Sequence, residues 1–438
     1  MTKTLSILVS LLFCFVSAAQ NFNSPKMDSL LSVLDDNNQW MGSICVSQNG
    51  KLLYSKAIGW SDAENKIKND PTSAYRIGSI TKMFTSVLVL KAIEDGRLKL
   101  ETKLSEYFPA IQHAEDITIS MLLQHRSGIT NFTDTSAYLT YNTLPIDEAG
   151  LIQHIKSGGS VFRPDSKAEY SNSNYALLTF ILEKVYKKPY ATLLETYITG
   201  PLKLRKTYVG GRINTALKES NSYTHDGSYS KMSETDMSVP RGAGNMVSTA
   251  EDLCIFITKL FDGKIIKTQS LAKMKEIRDG YGRGIFEYPL DNKTGYGHTG
   301  GIDGFSSMLG IIPDDKIAVA LLSNGGHYPN NEIIIAAFNC FYGKPFELPD
   351  YTSVNVEDKI LQTYTGIYKS SQLPLDIEIS VNGKKLQARA TGQSSFLLEA
   401  KDERTFSFIP SGIILEFIPG EGKMILKQGG GVYNYKKE

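Results

Sequence analysis

Cysteine is scarce in this chain, four in 438 residues, and its spacing excludes a disulfide framework. Cys14 lies in an apolar N-terminal run, which leaves Cys45, Cys254 and Cys340, an odd number at wide intervals. Cys45 and Cys340 stand among apolar neighbours and read as small core residues. An excess of charge is also missing. The 47 Lys and Arg nearly balance the 46 Asp and Glu, for a net charge of +1 without any basic block. That excludes a nucleic-acid partner or an electrostatic membrane surface. The six histidines are scattered, with neither His-x-His nor His-Glu-x-x-His, so neither a metal nor a cofactor is expected.

Long apolar runs are lacking except at the start. Lys3, an apolar stretch from Leu5 to Val16 and then Ser17-Ala18-Ala19 read as a cleavable secretory signal over residues 1–19. Phe13 before Cys14 does not suit a lipoprotein cleavage site, so a secreted or periplasmic product without a stable membrane span is expected. The full chain is 41% hydrophobic and 21% charged, a folded composition, and its length calls for two domains.

In chain order, residues 26–40 predict a helix with Leu30, Leu31, Val33 and Leu34 on one side. A hairpin follows around Gln48-Asn49-Gly50-Lys51, where Asn-Gly is the turn signal. Thr81 to Asp95 is apolar on nearly every face and stops at Gly96, which describes a buried helix. Residues 98–239 read as helices and loops, including a capped helix over Ile117–Ile129 that breaks at Gly128. They also hold a loop from Phe162 to Asn174 leading into a helix from Tyr175 to Tyr186. A glycine-rich turn at Arg241–Asn245 leads into another helix. β-like segments follow at Arg283–Tyr288, Gly297–Ile312 and Ile317–Ser323, and then a helix over Asn331–Phe341. The expected fold is α/β in the α+β sense, an antiparallel sheet flanked by helices with a large helical insertion, over residues 20–347. Residues 348–362 read as a linker. Residues 363–438 carry short alternating strands separated by polar and glycine turns, which predict a small antiparallel barrel or sandwich.

The chemistry centres on Arg76-Ile77-Gly78-Ser79-Ile80-Thr81-Lys82-Met83-Phe84. Ser79 and Lys82 fall one turn apart at a helix start, where unpaired N–H groups and the helix dipole favour negative charge. Burial makes the neutral form of a lysine accessible, and such a lysine can exchange protons with a serine hydroxyl. Ser-x-x-Lys alone is weak, since it recurs at Ser228–Lys231 and Ser270–Lys273 in polar or charged surroundings. Tyr170-Ser171-Asn172 places a tyrosine and an asparagine two residues apart before a helix, and Tyr-x-Asn recurs at Tyr328–Asn330. His125 reads as a structural hydrogen-bonding residue. Gly297-His298-Thr299-Gly300-Gly301 runs into a strand, where glycines allow close backbone approach. A literal Lys293-Thr294-Gly295 falls in the polar connection just before it.

Ser79…Lys82, then Tyr170…Asn172, then His298-Thr299-Gly300 resembles the serine β-lactamase and penicillin-binding superfamily, whose Ser-x-x-Lys, Tyr-x-Asn and Lys/His-Thr-Gly elements occur in that order. It looks most like the branch of class C β-lactamases, D-alanyl-D-alanine carboxypeptidases, D-amino-acid amidases and related esterases. The resemblance covers roughly residues 28–345, and the tail resembles a β-barrel extension that some members carry. It implies an exported serine hydrolase in which Ser79 forms an acyl-enzyme. Lys82 and Tyr170 would share the proton work, a phenolate-like Tyr170 beside a cationic Lys82 acting as base. Asn172 would orient Lys82 and bind the substrate amide. The backbone N–H groups of Ser79 and Gly301 would form an oxyanion hole, and His298, Thr299 and Gly300 would line the substrate site.

His298 stands where β-lactamases usually carry lysine, and a neutral histidine is a weaker carboxylate anchor. The resemblance therefore points first to D,D-carboxypeptidase-like or D-amino-acid peptidase-like hydrolysis. A class C-like β-lactamase or an esterase is the alternative. A non-hydrolytic penicillin- or peptide-binding protein on the same fold is the rival from another class. The expected partner is a small-molecule or peptide substrate such as a cell-wall peptide, a β-lactam or an ester.

Overall fold

The residues of Ile317–Gly326 alternate between two apolar cores. Ala318, Ala320 and Leu322 face one, while Ile317, Val319 and Leu321 face the other, and all six are buried. A strand buried on both sides in this way must lie inside a sheet with helices on either face. The computed structural model describes residues 22–226, 228–428 and 431–438, and shows that arrangement. The expected signal over residues 1–19 lies outside the described residues.

In chain order the elements that position the site are α1 (Ser24–Asp36), β1 (Trp40–Gln48), β2 (Lys51–Ile58), α2 (Thr81–Glu94), α3 (Ile119–Leu123), α4 (Asn172–Tyr186), α5 (Ala250–Phe261), β3 (Phe286–Leu290), β4 (Lys293–Ile302), β5 (Phe305–Ile312), β6 (Ile317–Gly326) and α6 (Asn330–Tyr342). The six strands form one antiparallel sheet in the order β3-β4-β5-β6-β1-β2. β1 and β2 are joined by Asn49-Gly50, both with positive φ, as an Asn-Gly hairpin requires.

Helices α1 and α6 cover one face of the sheet. Met27, Leu30, Leu31 and Leu34 pack there with Ile333, Ala337, Phe338 and Phe341. On the other face α2 and α5 meet it, with Phe84 stacked on Phe256 at a 3.8 Å centroid distance. Helix α2 is apolar all round because the sheet, α5, α4 and the insertion enclose it, and its residues from Thr81 to Leu90 are all buried. Each buried Leu or Phe on it contributes roughly 1.5–3 kcal/mol of transfer free energy.

Several expectations need correction. The expected span Gly297–Ile312 is two strands, because Asp303-Gly304 makes a two-residue hairpin turn with Asp303 at φ 53° and Ile302 opposite Phe305. Lys293-Thr294-Gly295 is not in a connection. It opens β4, since Asp291-Asn292 forms the turn from β3, and the Lys293 ammonium is paired with Asp315. The helix expected over Ile117–Ile129 stops at Leu123, because His125 adopts a left-handed backbone at φ 58°. Helix α4 begins at Asn172 rather than Tyr175, which brings Asn172 into its first turn. The insertion between residues 98 and 239 carries helices and only short strands, at Tyr208–Val209, Tyr223–His225 and Tyr229–Lys231.

The expected linker contains a helix, Asp358–Tyr364, and its Leu361 lies with Val356 in a third core. Among the described residues nine antiparallel strands surround that core, from Gly366–Lys369 to Gly431–Lys437. The first and last of these pair with each other and join the two halves of the sheet. Cys45, Cys254 and Cys340 are buried and unbridged. Among the described residues no helix is long and apolar enough to cross a membrane.

Candidate active site

Ser79 sits in a 3₁₀ turn, Gly78–Ile80, that runs directly into α2. Two constraints fix the turn. The Ile77 N–H donates to Met246 O at 3.0 Å, and the Ile77 carbonyl accepts the Ser307 hydroxyl of β5 at 2.8 Å. Strand β4 crosses just above. A Cβ on Gly78, whose φ is +48°, would fall 2.7 Å from Gly301 N. A Cβ on Gly300 would fall 2.1 Å from Ile77 O and 2.9 Å from Ser79 N. Glycine at both positions is what lets the strand approach this closely. It also sets the Gly301 amide against the Gly78–Ser79 turn.

Lys82 is fully buried and, among the described residues, no carboxylate lies against it. Its Nζ lies 2.9 Å from Ser79 Oγ, 2.7 Å from Asn172 Oδ1 and 2.7 Å from the Ala243 carbonyl. The last two can only accept, whereas a serine hydroxyl can also donate. A neutral amine therefore satisfies all three contacts by donating to Asn172 and Ala243 and turning its lone pair to the Ser79 hydroxyl. Burial lowers the Lys82 pKa well below the usual lysine value and favours that form.

The Tyr170 ring lies below the same ammonium position, with Nζ 4.8 Å from its centroid. Burial raises the phenol's pKa, and the Ser79 hydroxyl opposes this. The expected pair, a phenolate Tyr170 beside a cationic Lys82, runs against burial at both residues. The neutral phenol and neutral amine are the favoured combination.

His298 is buried, its Nδ1 is 2.5 Å from its neighbour's carbonyl, and burial pushes its pKa down to about 3, so it is neutral. It faces the Ser79 side with Gly300. Thr299 takes the alternate face and is exposed, opposite Met308 of β5. Strand β3 pairs with β4 only over Lys293–Gly297, so among the described residues no strand covers the outer edge of His298–Ile302. A cavity of about 490 Å³ lies on the far face, between β3–β5 and α6. It shares only β4 with the site and contains neither Ser79 nor Lys82.

Seven of the eight residues expected from the sequence thus converge on one cleft, and Thr299 lies beside it with its side chain on the alternate face of β4. The weak copies do not. Ser270 donates to Glu94 at 2.6 Å, Ser228 and Lys231 belong to a hairpin, and Asn330 accepts the Trp40 indole N–H at 2.8 Å. Other contributors carried no sequence signal. The Ala243 carbonyl is delivered by the glycine-rich turn, which Asn245 closes by accepting the Gly242 N–H at 2.9 Å. Asn131 accepts the Asn172 N–H, and Thr133 accepts from the Asn172 side-chain amide at 3.0 Å. Arg76 is buried and tied to Glu234 and Asp303. Nearby, Arg126 is paired with Asp165 and Asp279, Arg278 with Asp165, and Arg283 with Glu276.

The Beta-lactamase family profile matches residues 39–337, well over half of the chain. The chain belongs to the Beta-lactamase family. It is similar to the teichoic acid D-alanine hydrolase of Staphylococcus aureus (strain MRSA252), 29% identical over 325 residues that cover 72% of this chain and 77% of the relative. It is also 25% identical to penicillin-binding protein 4* of Bacillus subtilis (strain 168), over 90% of this chain and 94% of the relative. Among solved structures it resembles a D-stereospecific amidohydrolase from Streptomyces sp., with a TM-score of 0.64 and 25% identity over 74% of this chain and all but 1% of the other, of which it covers 99%. This β-lactamase-family chain is a serine hydrolase of the β-lactamase and penicillin-binding superfamily.

The close crossing at Gly300 generates a prediction. Gly300→Ala should lower kcat on the order of 100-fold, because the new methyl forces β4 away from Ile77 and Ser79. Steady-state kinetics on a variant that keeps its circular-dichroism spectrum measures this, and a wild-type kcat would count against the crossing.

Proposed function

We propose that this protein is an exported hydrolase of D-aminoacyl amides or esters, working through an acyl-Ser79 intermediate. The observation that carries the reading is Lys82 Nζ, held by two obligate acceptors 2.9 Å from Ser79 Oγ, where a neutral amine would turn its lone pair to the hydroxyl. In the first half-reaction Ser79 Oγ bonds to the substrate carbonyl carbon and its proton passes to Lys82. The carbonyl oxygen takes the negative charge against the Ser79 and Gly301 N–H groups, a contribution of about 3–4 kcal/mol per donor in other enzymes. Collapse breaks the bond to the leaving nitrogen or oxygen, which takes the Tyr170 proton, and Lys82 returns its proton to Tyr170. Water then attacks the acyl-enzyme, with Lys82 and Tyr170 carrying its proton to Ser79, and a carboxylic acid leaves.

The substrate class rests on charge. His298 is neutral, Lys82 is committed to three contacts, and the described arginines around the cleft are paired with carboxylates. A leaving group that needs a cationic anchor is poorly served, which favours amides and esters over β-lactams and free D,D-dipeptide ends. The relatives named for D-alanine hydrolysis and D-stereospecific amidohydrolysis support the same class.

D-Alanine p-nitroanilide should be hydrolysed in preference to its L-enantiomer, and Ser79→Ala should reduce kcat on the order of 10⁴-fold or more. Intact-mass measurement with benzylpenicillin runs beside it. A lasting adduct on wild type without anilide turnover would replace this reading with a penicillin-binding one.

The pH profile follows from Lys82. Its lone pair is lost on protonation, so kcat/KM should fall on the acid side of its lowered pKa and reach its plateau well before the ordinary lysine value. A kcat/KM that instead keeps climbing toward about pH 10.4, the ordinary lysine value, would show that burial does not hold the amine neutral. Export predicts that the mature protein begins at Gln20, which N-terminal sequencing of protein secreted by a bacterial host would reveal. Retention of Met1 would refute it.

A further inference from the structure

Tyr170 lies in an irregular loop, with neither helix nor strand to hold it. Its backbone neighbours on both sides are nevertheless fixed, and by the same residue. The Glu169 N–H donates to the His125 carbonyl at 2.9 Å, and the Ser171 N–H donates to His125 Nδ1 at 3.1 Å. The imidazole itself lies against the phenol, with ring centroids 4.5 Å apart, and is boxed in by Tyr175 and Tyr281 at 5.3 and 5.2 Å. His125 can turn its carbonyl and its ring toward one segment because its backbone is left-handed, at φ 58°. The next residue continues the rail, with the Arg126 carbonyl accepting the Asp165 N–H at 2.8 Å.

We propose that His125 is a positioning residue for the hydrolytic reaction. By accepting the N–H groups on either side of Tyr170 and lying along its ring, it holds the phenol in register with Ser79 and Lys82. The inference rests on the reading of Tyr170 as a proton carrier. It requires the tautomer with the proton on Nε2, because Nδ1 is the acceptor. Burial holds the ring pKa well below the ordinary histidine value, so the acceptor persists across the working pH range.

Three variants test the clamp with D-alanine p-nitroanilide, at temperatures well below each variant's Tm. His125→Gly keeps the left-handed backbone and the carbonyl contact but removes the acceptor and the ring. Its kcat should fall about 10–100-fold with KM within about twofold of wild type. His125→Asn tolerates the same φ and returns an acceptor near the Nδ1 position, so it should recover about tenfold of the lost kcat. It also serves as the folding control if the glycine variant does not fold. Tyr170→Phe calibrates the reading beneath. If it is inactive while His125→Gly keeps wild-type kcat, the positioning role is overturned and the hydrolase reading stands. Equal kcat losses in the glycine and asparagine variants, without rescue, overturn it as well. If Tyr170→Phe keeps full activity, the proton-carrier reading falls and this inference falls with it.

Discussion

A buried amine that meets no carboxylate is the constraint on which this structure turns. Lys82 sits in the first turn of a helix enclosed on every side, where a bare ammonium would be costly to desolvate. It is accommodated by one local oxygen, Ser79 just before it, and by two from distant parts of the chain, Asn172 at the head of α4 and Ala243 in the glycine-rich turn. The two distant oxygens reach Lys82 only if their own elements are docked, so packing against α2 and assembly of the nucleophile are one event. The two helix starts also belong to this logic. Ser79 and Asn172 lie where α2 and α4 begin, so the side chains are fixed by the first turns of well-packed helices rather than by mobile loops.

Where the sequence carried side-chain chemistry or turn signals, it could be read. The Ser79–Lys82 spacing on an all-apolar helix, the Asn49-Gly50 hairpin and the alternation in Ile317–Ser323 are local patterns with one physical solution each. His298 could be separated from Lys293 as the cleft residue, although both proved to lie on one strand, five positions apart. What escaped was non-local or belonged to the backbone. The Ala243 carbonyl has no side-chain signature. His125 stops a helix that periodicity would have continued, because its contacts to Glu169 and Ser171 outweigh the local preference. Asp303-Gly304 was a legible turn hidden inside a longer apolar run. The direction of the proton equilibrium between Lys82 and Tyr170 was also out of reach, since it depends on how completely the cleft excludes water.

The C-terminal strands have a different relation to the sequence. Their alternation was plain, but the pairing of Gly366–Lys369 with Gly431–Lys437 joins the two ends of that segment and leaves no trace in local periodicity. The helix Asp358–Tyr364 was obscured by its charged, linker-like composition. It becomes a core element through two apolar residues, Leu361 and Tyr364, both buried in the third core.

Strand β3 ends its pairing at Gly297, and this sets a physical gauge. Beyond it the open edge of β4 runs only from His298 to Ile302 before the Asp303-Gly304 turn, a length of about 16 Å at roughly 3.3 Å per residue. An extended ligand laid along that edge meets the end of β3 on one side and the hairpin corner on the other. The uncovered edge therefore offers strand pairing to at most about five residues of an extended chain.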